Sequence, residues 1–271
     1  NRRVYHLCDF FDSQRARAPS AALADGGGAS VSVRAAAASS KAERLLGAAD
    51  TDLRRLWSSL NGAALTLTAD SNSFPGRDRW DGRNDARVAA HVLHGSKGLY
   101  VLARVTDDAW VDVAHPRYDW KYDVLDVFLD SLPPASITPD RFFSTGNWAL
   151  TPSSRQYKVW LGDSAVVAFA RFVPQHWELY TDKAPVAESA ARLDGLRVRV
   201  QQVDAAVKMV LVAIPWEHVG GRGGVRRTLA FTLGYNDMDA DTGDVCSLRW
   251  KRSDPYSSES GRCSWGGLIV E

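Results

Sequence analysis

The sequence predicts an all-β fold, an antiparallel sandwich or barrel with a partly helical extension ahead of it. Two observations carry the β part. Segments 64–68, 87–93, 98–106, 124–130, 155–161, 165–172, 177–181, 196–203, 207–214, 228–235, 245–250 and 267–270 are short, apolar or alternating, and bounded by turn residues. No helical run separates them. Within 124–130, Leu125, Val127 and Leu129 alternate with Val124, Asp126, Phe128 and Asp130. A period of two marks a strand with one face in a core, and the facing carboxylates mark the other face as wet or ligand-bearing. The third observation confines helix to the N-terminal side. Leu45, Leu46, Ala49, Leu53, Leu56, Trp57 and Leu60 recur at helical spacing before Asn61-Gly62 ends the run.

Taken in order, residues 1–40 are poorly patterned. A glycine triplet and many small residues surround a brief alternation at Val31 and Val33. Ser40-Lys41-Ala42-Glu43 has the form of a capping box. The helical spacing of the apolar stripe runs on past Asp50-Thr51-Asp52-Leu53, a stretch at which one helix and two short pieces both stay open. The chain divides into an extension, 1–62, and a β domain, 63–271. The longest loops of that domain, 69–86, 107–123 and 131–154, are where binding groups are expected to sit on a rigid scaffold.

Composition removes several function classes. The chain of 271 residues carries a net charge of +1, which gives no electrostatic case for nucleic acid. No apolar run is long enough to span a membrane. Ten tryptophans are many, and those outside the core offer flat faces to ring-bearing ligands. Cys246 and Cys263 flank one loop region and are expected to lie close and to pair if the protein is secreted, leaving Cys8 over. The sequence contains no CxxC and no HExxH.

Several motifs occur in a specific order. Trp80-Asp81-Gly82-Arg83-Asn84-Asp85 precedes the strand Gly98-Leu99-Tyr100-Val101. Trp120-Lys121-Tyr122-Asp123-Val124-Leu125-Asp126-Val127-Phe128-Leu129-Asp130 follows it. Then come Ala213-Ile214-Pro215-Trp216, Gly234-Tyr235-Asn236-Asp237, Trp250 with Ser253-Asp254-Pro255, and Trp265-Gly266-Gly267-Leu268-Ile269-Val270. This series resembles carbohydrate-binding module family 9 and its wider sandwich superfamily. The resemblance implies a two-sheet antiparallel, jelly-roll-like sandwich. It implies a non-catalytic module binding a glycan or sugar chain end, within a larger secreted or surface protein, and hence an extracellular or cell-surface location. In that family two aromatics sandwich a sugar ring and polar side chains hold its hydroxyls. Trp120 falls on one aromatic, Asp126 on the carboxylate and Lys158 on the basic contact. Tyr256 is the only aromatic of 255–264, where the second is implied. Trp160 shares the strand face of Gln156 and Lys158.

Other readings stand beside this one. Asp237, Asp239 and Asp241 form an acidic D-x-D-x-D series that could hold structural calcium. It is not an EF-hand, since Thr242 and Leu248 occupy the positions that loop gives to Gly and Glu. A hairpin turn explains the same residues. Asp123, Asp126, Glu178 and Glu217 are the carboxylates available for acid–base work. His91 and His94 fall on opposite strand faces, and no nucleophile elbow exists, so the chain is not expected to be an enzyme. Haem binding would rest on Met209 or Met238, and Met209 reads as core filler. The last alternative is a structural or partner-docking sandwich without a sugar site, contacting another domain or chain through residues 1–60, whose apolar stripe needs a cover.

Overall fold

The computed structural model of the chain describes residues 32–60, 65–68, 85–112, 122–133, 136, 153–162, 167–172, 195–221, 226–239, 245–250, 258–259, 262–263 and 265–271. They form a two-sheet β-sandwich with two helices. One sheet has seven strands: β1 (Ser32–Arg34), β15 (Gly266–Val270), β11 (Arg227–Met238), β6 (Val124–Asp130), β7 (Arg155–Trp160) and β8 (Val167–Phe172) in that order, with β12 (Val245–Arg249) also paired to β11. The other has six: β2 (Ala36–Ala37), β4 (Ala86–His94), β5 (Gly98–Asp107), β10 (Val207–Pro215) and β9 (Arg197–Asp204), with β3 (Leu65–Thr68) paired to β4. A short ribbon joins β13 (Ser258–Glu259) to β14 (Arg262–Cys263). Segment 177–181, expected as a strand, lies outside the described residues.

Alternation builds the core. Leu125, Val127 and Leu129 of β6 and Leu229, Phe231, Leu233 and Tyr235 of β11 face Val88, Ala90, Val101, Val105, Val210, Val212 and Ile214 of the other sheet. The register of β6 is therefore the expected one, with Val127 inward. Part of the outer face of β4, β5 and β10 is apolar as well, at Leu93, Tyr100, Leu102, Met209, Leu211 and Ala213, where the helices cover the side that the sandwich core does not.

The stretch ahead of residue 63 contributes strands as well as helix. β1 pairs in parallel with β15, and β2 pairs in parallel with β4. The chain thus passes from one sheet to the other at Ala35, which is buried. The apolar stripe then folds as two helices, α1 (Ser40–Gly47) and α2 (Leu53–Ser59). The N-cap of α1 is Ser39, whose side chain accepts from Ala42 N at 3.1 Å, one residue before the capping box read from sequence. Glu43 does not turn back to the cap. It reaches across to Ser96 Oγ at 2.9 Å and Lys97 N at 3.0 Å. Asp52 caps α2 by accepting from Arg54 N and Arg55 N. Between the helices the backbone carbonyls are met by β9: Arg197 donates to Gly47, and Arg199 donates to Ala48 and Thr51. Those guanidinium contacts replace the missing helical bonds and explain the break.

Leu46, Leu53 and Leu56 are buried against Leu93, Tyr100, Leu102, Met209, Leu211 and Ala213 on the outer face of the six-stranded sheet. Leu46, Leu53 and Leu56 of the stripe that suggested a partner through residues 1–60 are thus covered by the chain's own sandwich, Leu45 is left exposed, and Met209 packs in this second core. Leu56→Ala should lower the unfolding free energy by about 2–5 kcal/mol in a denaturant titration. Leu45→Ala, at a side chain 36% exposed, should change it by no more than about 0.5 kcal/mol.

Candidate functional site

The outer face of the seven-stranded sheet carries the predicted site, and strand register arranges it in rows. Arg249 pairs with Gly234, Gly234 with Asp126, and Asp126 with Lys158. One residue pair further along, Ser247, Asn236, Val124 and Trp160 stand side by side. In the opposite direction lie Thr232, Phe128 and Gln156. Lys158 Nζ is 3.2 Å from Asp126 Oδ1, and Gln156 Nε2 donates to the same oxygen at 2.9 Å. The ammonium lies 5.9 Å from the centroid of the Trp160 ring. Phe128 and Trp265 stack obliquely at 5.6 Å.

Three of the sequence-predicted residues, Asp126, Lys158 and Trp160, are therefore together. Trp120 and Tyr256 lie outside the described residues. The expected setting of Asp126 needs correction. Its side chain is on the outer face, as the alternation requires, yet it is buried rather than in solvent, as are Lys158 and Trp160. A carboxylate can sit there because an ammonium and an amide satisfy it. The pair is a buried one, so removing either partner leaves the other charge out of water and uncompensated. Asn236, Ser247 and Arg249 complete the polar face and were not singled out from sequence. The signal available was the outward phase of 245–249 together with a glycine opposite it on β11.

A second polar cluster fills one end of the sandwich, between the sheets. Carboxylate oxygens of Asp107, Asp123 and Asp237 lie within 4.8 Å of one another, and so do those of Asp85, Asp237 and Asp239. Tyr235 OH donates to Asp107 across the two sheets. Asp123 accepts from Val111 N and from Met238 N, the latter at 3.0 Å. Burial raises the pKa of Asp107, Asp123 and Asp237, and the neighbouring carboxylates raise those of Asp123 and Asp237 further. The positive charge of Lys208 acts against this at Asp123. Lys208 is itself buried, donating to the Leu161 and Gly162 carbonyls and lying 4.0 Å from the Trp110 ring centroid. Such a pocket can be neutralised by shared protons or by a hard divalent cation, which takes oxygen ligands. Asp237 and Asp239 belong to the acidic series read from sequence. Asp241 lies outside the described residues, and Asp85, in the turn just before β4, and Asp107, at the end of β5, were not foreseen.

Cys246 is a free thiol buried in the inner core, so the expected pairing with Cys263 is not made. Its position on β12 aims it between the sheets. Burial, and then the charges of Asp237 and Asp85, push it up to about 12.

No protein-family model and no curated protein matches the chain. Solved structures do. A carbohydrate-binding module of family 9 from Caldicellulosiruptor kristjanssonii, in complex with cellotriose, superposes with a TM-score of 0.54 at 9% identity, over 89% of this chain and 94% of that one. Its fold is that of a family 9 module. A second family 9 structure from the same organism, in complex with glucose, gives 0.53 at 10% identity, over 89% and 96%. The family 9 fold accounts for the two sheets and leaves the side chains of the outer face to be read on their own chemistry.

Because Asp126 and Lys158 are both buried, Asp126→Ala alone should cost about 3–5 kcal/mol by leaving an unpaired buried ammonium. The double change Asp126→Leu with Lys158→Met should recover most of that loss. Urea denaturation of Asp126→Leu, of Lys158→Met and of the double variant gives the coupling directly.

Proposed function

We propose that the chain is a non-catalytic carbohydrate-binding module carried in a larger secreted or surface protein, engaging sugar at the outer face of the seven-stranded sheet around Asp126, Lys158 and Trp160. The observation that carries this reading is the row of carboxylate, ammonium and amide beside indole rings, on a fold whose neighbours were solved with cellotriose and glucose. Sugar rings present C–H groups to an indole face and hydroxyls to charged groups, so this combination suits them. Trp120 and Tyr256 are the proposed sandwiching aromatics. The non-catalytic part is supported by the state of the candidate carboxylates. Asp126 is committed to Lys158 and Gln156, and Asp123 to two backbone amides.

One observation favours a second reading, a structural sandwich without a sugar site: Asp126, Lys158 and Trp160 are almost wholly buried. Calorimetric titration separates the two. Wild type should bind glucose or cellotriose. Trp120→Ala and Lys158→Met, each confirmed folded by circular dichroism, should weaken binding by about tenfold or more, the worth of one hydrogen bond to a charged group. Binding unchanged by both substitutions would refute the site. No binding by wild type to any mono- or oligosaccharide would select the structural reading.

Calcium is the proposed structural companion, held by Asp237 and Asp239 with Asp85. Two buried carboxylates and a half-buried one give the oxygen donors this ion prefers. Calcium chloride should then raise the melting temperature of chelator-treated protein by mass action, and Asp237→Asn should abolish the response. An equal rise in the variant would remove calcium from this pocket.

A further inference from the structure

Among the described residues the outer face carries, besides the Lys158–Asp126 ion pair, a second cation whose hydrogen-bond partners are neutral. Arg249, on β12, is only 9% exposed. Its Nη1 donates to the carbonyls of Tyr235 at 3.2 Å and Leu248 at 3.0 Å, and its Nη2 donates to Asn236 Oδ1 at 2.6 Å. Ser247 Oγ donates to that same Asn236 oxygen at 2.8 Å. Each of these acceptors is neutral. Among the described residues no carboxylate forms an ion pair with this guanidinium. Asp126, the nearest carboxylate in the row, is taken by Lys158 and Gln156. Asp130, the other carboxylate of the face, accepts from Ser153, Ser154 and Leu132 N at 2.7, 2.6 and 2.8 Å.

The side chain is also held in place. A Cβ at Gly234 would stand 2.6 Å from Arg249 Nη1 and 2.9 Å from its Cδ, so the guanidinium lies flat over β11 only because that position is glycine. It is thereby placed beside Asp126, the partner of Gly234 on β6. Among the described residues β12 pairs with β11 alone, and Arg249 and Ser247 are the least buried polar groups of the rows. A ligand group entering from the β12 edge meets them first. A buried cation held only by neutral acceptors, as Arg249 is among the described residues, is costly, and a planar guanidinium is shaped to take a carboxylate on two parallel hydrogen bonds.

We infer that the module takes an acidic sugar, its uronate carboxylate on Arg249 with Ser247 alongside, and its ring along the row toward Asp126 and Lys158. The inference rests on the carbohydrate reading above and gives its ligand class. It predicts a charged ligand where the neighbours' structures hold glucose and cellotriose.

The test compares three oligosaccharides on the intact chain by calorimetry: trigalacturonate, its fully methyl-esterified form, and cellotriose. Trigalacturonate should bind at least about tenfold more tightly than its ester, since a charge-assisted hydrogen bond is worth about that factor. The difference should shrink as salt rises. Arg249→Gln should erase the preference for acid over ester, and Arg249→Lys, which keeps charge and loses the fork, should reduce it. Equal affinity of wild type for acid and ester overturns the inference without any variant. So does a preference that survives in folded Arg249→Gln. Sulfate that competes as strongly as trigalacturonate at matched ionic strength reduces the site to one for simple anions and also overturns it. Cellotriose bound with no preference for acid sinks this inference and leaves the carbohydrate reading standing, whereas no binding of any of the three sinks both.

Discussion

Strand β6 is buried on both faces, and the rest of the sandwich is arranged around that constraint. Leu125, Val127 and Leu129 fill the space between the sheets, while Asp126 and Asp130 point the other way and are still out of water. A slip of one residue would exchange these sets and drive carboxylates among Val88, Val210 and Ile214, at a cost of several kcal/mol for each unpaired charge. The register is thus set twice, by apolar burial on one side and by hydrogen-bonding partners on the other. The partners follow from the register in turn. Lys158 and Gln156 meet Asp126 because β7 runs antiparallel beside β6 at that spacing.

A buried ion pair contributes little net stability when compared with well-packed apolar residues of similar volume. Its value on this face is directional. It holds one carboxylate and one ammonium at fixed positions beside indole and guanidinium groups, with little freedom left to lose on binding. Gly234 belongs to the same arrangement. It weakens β11 as any glycine in a strand does, and in exchange the Arg249 side chain lies across the sheet instead of standing off it.

The strands were legible in the sequence because their two-residue period is set by burial and does not depend on distant residues. β6 and β12 carry their phase in so few residues that their inward and outward sets can be read directly. The break between α1 and α2 was not decidable in the same way. The stripe Leu45 to Leu60 has helical period throughout, and the interruption is stabilised by Arg197 and Arg199, about 150 residues away in sequence. The strands β1 and β2 were hidden for a similar reason. They are too short to show a pattern, and parallel pairing to β15 and β4 defines them. For the site, the alternation gave the face of Asp126, Lys158 and Trp160 and could not give its burial, which depends on what lies over the sheet. Arg249 escaped notice because its meaning comes from a glycine on another strand.

β11 sorts charge between the two sides of its sheet. Tyr235 and Asp237 point inward, where Tyr235 bridges to Asp107 and Asp237 joins the carboxylates of β5 and the start of β6. Gly234 and Asn236 point outward, where one makes room for Arg249 and the other accepts its hydrogen bond. Four consecutive residues therefore serve an acidic pocket and a cationic row at once. The strand is extended and paired along this stretch with both β6 and β12, so it cannot move for one side alone. Whatever neutralises the acid pocket, proton or cation, acts on a backbone that also sets the spacing of Arg249 and Asp126. The rigidity of the outer face is in this sense a property of the inner one.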